Sequence, residues 1–295
     1  MKSHLQQPID KAAVLLEALP YLQQFRGQTF LIKVGGSAME NPDLVRRLLR
    51  DVVFMEVAGI NPVLVHGGGK AISAAMEKAG LEACFVGGLR VTTDAAMEIV
   101  EETLSTVVNA ELVAGIERCG GRTIGISGNE VFVGERIKGW SKEEDDEVDL
   151  GRVGRVTSVD LGQIEKAISS ELVPVVSPVA KENETGLSLN VNADLAASAL
   201  AAELKVAKLV YLSDVLGLMQ DPSDESTLIP SLTADEVDPL IESGVISGGM
   251  IPKIRSSVDA LRAGVGKVHL IDGRLSHSLL LEIFTEKGVG TEILS

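Results

Sequence analysis

What most constrains this chain is how its apolar β-type runs end. Thr29 to Val34 (TFLIKV) closes on Gly35-Gly36-Ser37, and Pro62 to Val65 closes on His66-Gly67-Gly68-Gly69-Lys70. Each run is followed by apolar residues at helical spacing. Leu44, Leu48, Val52 and Met55 share one face of a helix expected from Asp43 to about Ala58, and a second helix opens at the triple glycine and runs through Ala79. The alternation continues. Helices are expected over Asp94 to about Arg118, Asn192–Leu204, Ala234–Ser243, Met250–Ala263 and Leu275–Thr285, with strands near Ile124, Leu172–Val176, Leu209–Leu212 and Lys267–Ile271. Continuous apolar strands must be covered on both faces, so the pattern predicts an α/β fold with a mainly parallel sheet between helical layers. Short alternating runs at Val131–Ile137 and Arg152–Val159 predict a hairpin or lid inserted in the first half.

Ahead of the first strand, Leu15, Leu19, Leu22 and Phe25 predict an amphipathic helix over residues 9–26, capped by Asp10 and kinked at Pro20. Its apolar face must dock on its own domain or on a second subunit. Glu17 and Pro20 interrupt it and no small-residue cleavage site follows, so a signal peptide is disfavoured. No apolar run approaches the ~20 residues that span a bilayer, and a cytoplasmic, reducing setting is expected. The 27 basic and 42 acidic side chains leave a formal charge of −15, which argues against a broad nucleic-acid surface. An anionic ligand would therefore need local cations. Cys84 and Cys119 form no CxxC pair and read as small buried hydrophobes, and the four histidines show no metal-ligand spacing. The acidic run at 143–147 reads as a solvated loop.

Glycines beyond strand ends let backbone amides reach an anion, and a following helix N-terminus adds positive potential. Two such clusters, with Lys33 on the first strand itself, point to phosphate or acyl-phosphate chemistry. The Walker A loop and the GxGxxG fingerprint are both absent. Three later clusters extend the pattern. In Gly87-Gly88-Leu89-Arg90-Val91-Thr92 one arginine follows a glycine turn and suits a substrate carboxylate. Asn190-Val191-Asn192-Ala193-Asp194 precedes an Ala-rich helix, where Asn and Asp ordinarily serve as caps. Ser247-Gly248-Gly249-Met250-Ile251-Pro252-Lys253 sets a lysine in the first turn of a helix, against the macrodipole, which suggests a compensating anion.

Taken in order, IKVGG, VHGGG, GLRVT, NVNAD, LSDVLG and GGMIPK resemble the amino acid kinase family over nearly the whole chain. The resemblance implies a three-layer αβα sandwich divided into an oligomerisation helix (1–26), an amino-acid lobe (27–190) and a nucleotide lobe (191–295). It implies phosphorylation of the side-chain carboxylate of N-acetyl-L-glutamate by ATP with Mg²⁺, the second step of arginine biosynthesis. Lys33 and Lys253 would approach the transferring phosphoryl group, held by Asp194. Arg90, Asn190, Asn192, Gly68 and Gly69 would receive the amino acid, and Gly35, Gly36, Ser213, Asp214, Gly217 and Gly249 the nucleotide. No protein metal ligands are implied. The N-terminal helix and the Gly288–Ile293 segment resemble the arginine-inhibited members, which interlace dimers into hexamers. Tyr21, Lys205, His277, Glu282, Gly290 and Thr291 are the matching region for arginine, and a PII-type signalling protein is a further conceivable partner. The rival readings are a kinase of free glutamate or another carboxylate, a non-catalytic sensor, and a nicotinamide enzyme.

Overall fold

A computed structural model describes residues 3–141, 146–285 and 287–295, with the side chains of residues 3–5, 37 and 141 left aside. Strands β1 (Thr29–Val34), β2 (Asn61–His66), β3 (Phe85–Val86), β4 (Leu89–Arg90), β5 (Thr123–Ile126), β6 (Phe132–Ser141) and β7 (Asp146–Val159) make up the first half. The second half adds β8 (Val173–Val176), β9 (Val179–Glu182), β10 (Ser188–Val191), β11 (Lys208–Ser213), β12 (Ser231–Thr233), β13 (Lys267–Asp272) and β14 (Thr291–Leu294). The helices are α1 (Ser3–Phe25), α2 (Pro42–Val57), α3 (Gly69–Lys78), α4 (Asp94–Glu101), α5 (Asn109–Arg118), α6 (Gly162–Ser169), α7 (Ala193–Leu204), α8 (Val237–Glu242), α9 (Met250–Arg262) and α10 (Ser278–Ile283).

The central sheet runs β12-β14-β13-β11-β1-β2-β8-β5 and is parallel except for the β13–β14 pair. Period-two alternation sorts the strand side chains between two layers. Phe30, Ile32 and Val34 of β1 join Leu48, Leu49, Val52, Leu112 and Ile116 of α2 and α5. Leu31 enters the opposite layer with Ala197, Leu200 and Ala201 of α7 and Ile254 and Val258 of α9. Lys33, two residues on, therefore faces α7 and α9. The expected αβα sandwich is observed, and β1 sits where the connections depart to either side. In such sheets a ligand crevice forms beyond the carboxyl ends of the strands at that switch point.

Several boundaries differ from the sequence reading. Helix α1 begins at Ser3 and runs unbroken past Pro8 and Pro20, so Asp10 lies inside it and bonds Gln6 instead of capping. Asn41 is the cap of α2, accepting from the amides of Asp43 and Leu44, which typically contributes ~1 kcal/mol. The expected 94–118 helix is interrupted by a π-helical segment, Glu102–Val108, between α4 and α5. The inserted hairpin is longer than its alternating cores suggested, because β6 and β7 carry register shifts between Val133 and Gly134 and between Arg136 and Lys138 that break the pattern. With β9 and β10 the hairpin closes into a small four-stranded barrel. Of the acidic run, residues 143–145 lie outside the described residues, while Asp146 and Glu147 begin β7 in solvent. The reading of both cysteines as buried is wrong: Cys84 is exposed on the loop into β3, and Cys119 is half-buried at the C-cap of α5. Apolar neighbours in sequence did not mean apolar neighbours in space.

Candidate active site

The two glycine turns lie side by side because β1 and β2 are in register, with Val34 opposite His66. The amide of Gly67 donates to the carbonyl of Val34 at 2.7 Å, and a Cβ on Gly67 would stand only 3.6 Å from Cα of Gly35. Gly36 takes φ +61°, a conformation in which a side chain is strained. A Cβ on Gly35 would fall 2.4 Å from Nζ of Lys33, so the lysine lies across the glycine backbone. Glycine at position 35 thus leaves the space that Lys33 occupies.

Asp194, in the first turn of α7, stands between two lysines. Nζ of Lys33 is 2.7 Å from Oδ1 and Nζ of Lys253, on α9, is 3.5 Å from Oδ2. The shorter contact is an ion pair without the alignment of a hydrogen bond, leaving Oδ1 buried and without an aligned donor. Burial opposes ionisation of Asp194, yet the charges of Lys33 and Lys253 outweigh it and hold the carboxyl below its usual range. Lys253 also lies over the ring of the buried Tyr211, 5.8 Å from its centroid. Three charges thus meet at the edge of the core with a net charge of +1, and all three side chains are less than one-fifth exposed. Such a site has spare positive charge for an anion arriving from the cleft.

The cleft at these glycine turns, about 720 Å³, is lined by Gly36, Gly68, Gly69, Phe85, Arg90 and Asp214, with Lys70, Glu40 and Glu111 also on its walls, while Lys33, Asp194 and Lys253 lie outside its lining. Its size falls in the usual range for small-molecule sites. The guanidinium of Arg90 is held from below: Nη2 donates to the carbonyl of Gly69 at 2.9 Å and to Oγ of Ser73 at 2.8 Å, and the ring of Phe85 stacks 4.6 Å from Cζ. Thr92 donates to the Arg90 carbonyl and accepts from the side-chain amide of Asn190. The NVNAD strand, the GLRVT hairpin and α3 are therefore tied together around one wall. Asn192 is exposed, and its side-chain oxygen accepts from the amides of Asp194 and Leu195. It caps α7, the ordinary role of Asn at that position.

Not every expected residue meets this site. Ser213 ends β11, and Asp214 reaches the cleft, while nothing crowds Gly249. Gly217 is buried, and a Cβ there would strike Oγ1 of Thr291 at 2.5 Å. Its glycine is required by packing. A second cleft, of about 830 Å³, separates the end of α1 from β13, β14 and α10. Tyr21 and Glu282 line it, whereas Lys205 caps the far end of α7 and His277 bonds Asp51 at 2.6 Å. Gly290 and Thr291 are buried, the Thr291 hydroxyl donating to the carbonyl of Ile229 and accepting from the amide of Leu218.

The sequence reading missed the centre of this second cleft. Nζ of Lys208 donates to Nε2 of His269 at 2.9 Å, and Nδ1 of His269 donates to Glu282 at 2.7 Å. Burial, reinforced by Lys267, pushes the Lys208 ammonium down to about 8. Burial also disfavours the imidazolium of His269. A signal was present. Lys208 opens the apolar run LVYL, and His269 interrupts the apolar interior of KVHLID.

A model of the amino acid kinase family matches residues 28–272. The acetylglutamate kinase of Akkermansia muciniphila is 58% identical over 294 residues, covering 100% of this chain and 99% of that protein. Among solved structures, an N-acetylglutamate synthase from Neisseria gonorrhoeae complexed with coenzyme A and N-acetyl-glutamate superposes with a TM-score of 0.83 at 26% identity. The match covers 96% of this chain and 63% of that longer one. The same synthase complexed with coenzyme A and L-arginine gives 0.78 at 25% identity, covering 96% and 65%.

Proposed function

This chain belongs to the amino acid kinase family, and we propose that it transfers the γ-phosphoryl group of ATP to the side-chain carboxylate of N-acetyl-L-glutamate, a step of arginine biosynthesis. The observation that carries the reading is the Lys33–Asp194–Lys253 arrangement beside two glycine turns. A carboxylate nucleophile is already ionised at neutral pH, so attack in line on the γ-phosphorus needs no general base. The new bond joins carboxylate oxygen to phosphorus as the bond to the β–γ bridging oxygen breaks, giving an acyl phosphate and ADP. Positioning and charge neutralisation then supply the catalysis.

Lys33 and Lys253 would neutralise the transferring group from opposite sides, with Asp194 fixing their separation. Amides of Gly36, Gly68 and Gly69 would donate to the equatorial oxygens, and Arg90 with Asn190 would hold the substrate's α-carboxylate. The nucleotide would lie over the 191–295 half, near Ser213 and Asp214, and the amino acid over the 27–190 half. The described residues contain no group of three or more metal-ligating side chains. Mg²⁺ would accompany ATP. The deciding test traps the acyl phosphate with hydroxylamine in the presence of ATP and Mg²⁺, using N-acetylglutamate, glutamate and aspartate. Hydroxamate is expected from N-acetylglutamate, and none from any substrate would sink the kinase reading.

A second, regulatory reading rests on the cleft beside α1. Lys208, Lys267, Glu282 and Glu292 line one space, Lys267 and Glu292 paired with each other at 2.9 Å and Glu282 bonded to His269, so that both signs of charge are present there. That complement suits arginine as feedback inhibitor. Ile9, Val14, Leu15, Leu16 and Leu19 of α1 are exposed on the single chain, which supports a helix that docks on another copy in a hexamer. No described helix is long and apolar enough to cross a membrane.

A further inference from the structure

We propose that His66 and Asn109 are positioning residues that aim the Gly68 amide into the cleft, an inference that rests on phosphoryl transfer occurring at the Gly67–Gly69 turn. His66 is the last residue of β2 and is completely buried. Nδ1 lies 2.8 Å from the carbonyl of Gly67, and Nε2 lies 3.3 Å from Nδ2 of Asn109. A carbonyl oxygen can only accept, so Nδ1 carries the proton and Nε2 is left to accept from Asn109. The two contacts together allow one tautomer of the neutral imidazole. Burial keeps the ring neutral, its pKa pushed down to about 4.

The consequence follows from the planar peptide. Across a trans bond the carbonyl of Gly67 and the N–H of Gly68 point in opposite directions, and there is no cis peptide among the described residues. Drawing the Gly67 carbonyl inward onto His66 therefore turns the Gly68 N–H outward, toward the cleft that Gly68 lines. Among the described residues that N–H has no protein acceptor, whereas the neighbouring Gly67 amide is bonded to Val34.

The π-helical segment supplies both supports. Leu104 within it packs on Gly68, where a Cβ would lie 2.6 Å from Cδ2. Asn109, immediately after it, donates with its second N–H to the carbonyl of Val175 at 2.8 Å. The wide turn delivers Asn109 onto β5 at Gly125, where a Cβ would be 2.2 Å from its Oδ1. An extra residue in a helix beside a functional turn is a recurrent use of π geometry. Here it fixes the ring that fixes the peptide.

His66→Leu removes the donor, and His66→Asn restores one at the Nδ1 position. His66→Leu should lower kcat by about a hundredfold, the usual loss of one oriented amide donor, with KM for ATP changed less than about threefold. His66→Asn should recover at least about tenfold of that loss. A purely structural role would lower the melting temperature of both variants while leaving kcat per folded molecule intact, and that result overturns the proposal. Should His66→Leu fail to fold, ¹⁵N spectra of the wild-type imidazole decide: the Nδ1–H tautomer is required, and the Nε2–H tautomer refutes it. If wild-type protein itself yields no hydroxamate, the kinase reading fails instead, so the two failures are distinguishable.

Discussion

Lys33 and Lys253 lie at different removes from their charge. Lys33 is the penultimate residue of an apolar strand, where only the break at Gly35 gives its ammonium somewhere to go. Lys253 extends from a helix N-terminus whose dipole disfavours it. Asp194 reconciles both, and the two ammonium charges hold its carboxyl below the usual range against the opposing effect of burial. Lys33→Ala or Lys253→Ala should each reduce turnover by about 10²–10³-fold with the fold retained. A loss within about tenfold, roughly 1.4 kcal/mol, would remove that lysine from the chemistry. At Lys208 the sign of a pH effect can be worked out. Its ammonium, held down to about 8 by burial and by Lys267, is charged below that pH and neutral above it. If it receives the carboxylate of arginine, inhibition should weaken as pH rises through about 8. An inhibition constant for arginine unchanged between about pH 7 and about pH 9 would exclude it from that role.

At the scale of elements, the site is two strand ends and the helices that cross them. The strands were legible because each is a continuous apolar run, and α2, α3, α7 and α9 because their faces repeat at helical spacing. The π segment was not, since one wide turn changes the period over too few residues to register. Nor were β9 and β10, whose four residues each gain their strand character by pairing in the barrel with distant β6 and β7. The contact of Leu104 on Gly68 makes a test of this level. Gly68→Ala should cut turnover by at least about tenfold, because the new methyl and the buried leucine cannot share the space. Adding Leu104→Ala should restore part of the loss. Equal loss in single and double variants, read by steady-state kinetics, would rule out the steric account.

For the whole molecule, a charge of −15 would repel ATP and N-acetylglutamate if it were evenly spread. Lys33 and Lys253 keep a net charge of +1 around Asp194, Arg90 lines the cleft at the glycine turns, and within a Debye length of ~10 Å at 0.1 M salt local charge governs. Helix α1 presents the opposite problem: Phe25 at its end is buried, yet Ile9, Val14, Leu15, Leu16 and Leu19 have no cover in one chain. Deleting residues 1–26 should abolish both hexamer formation and arginine inhibition, since α1 forms one wall of the second cleft. A truncated protein that remains hexameric by light scattering would contradict this.

By itself the sequence determined the alternation of strand and helix, the αβα layering and the positions of the glycine turns, because these follow from local periodicity and from the steric needs of single residues. It also named Lys33, Arg90, Asp194 and Lys253, each carried by a short motif. Only the tertiary structure decided that Asp194 stands between two lysines 220 positions apart in the chain, that Thr291 belongs to the core, and that Lys208, His269 and Glu282 form one chain of hydrogen bonds. Those facts are distances between residues remote in sequence. Local propensity carries no record of them, and they come into being when the sheet brings its strands into register.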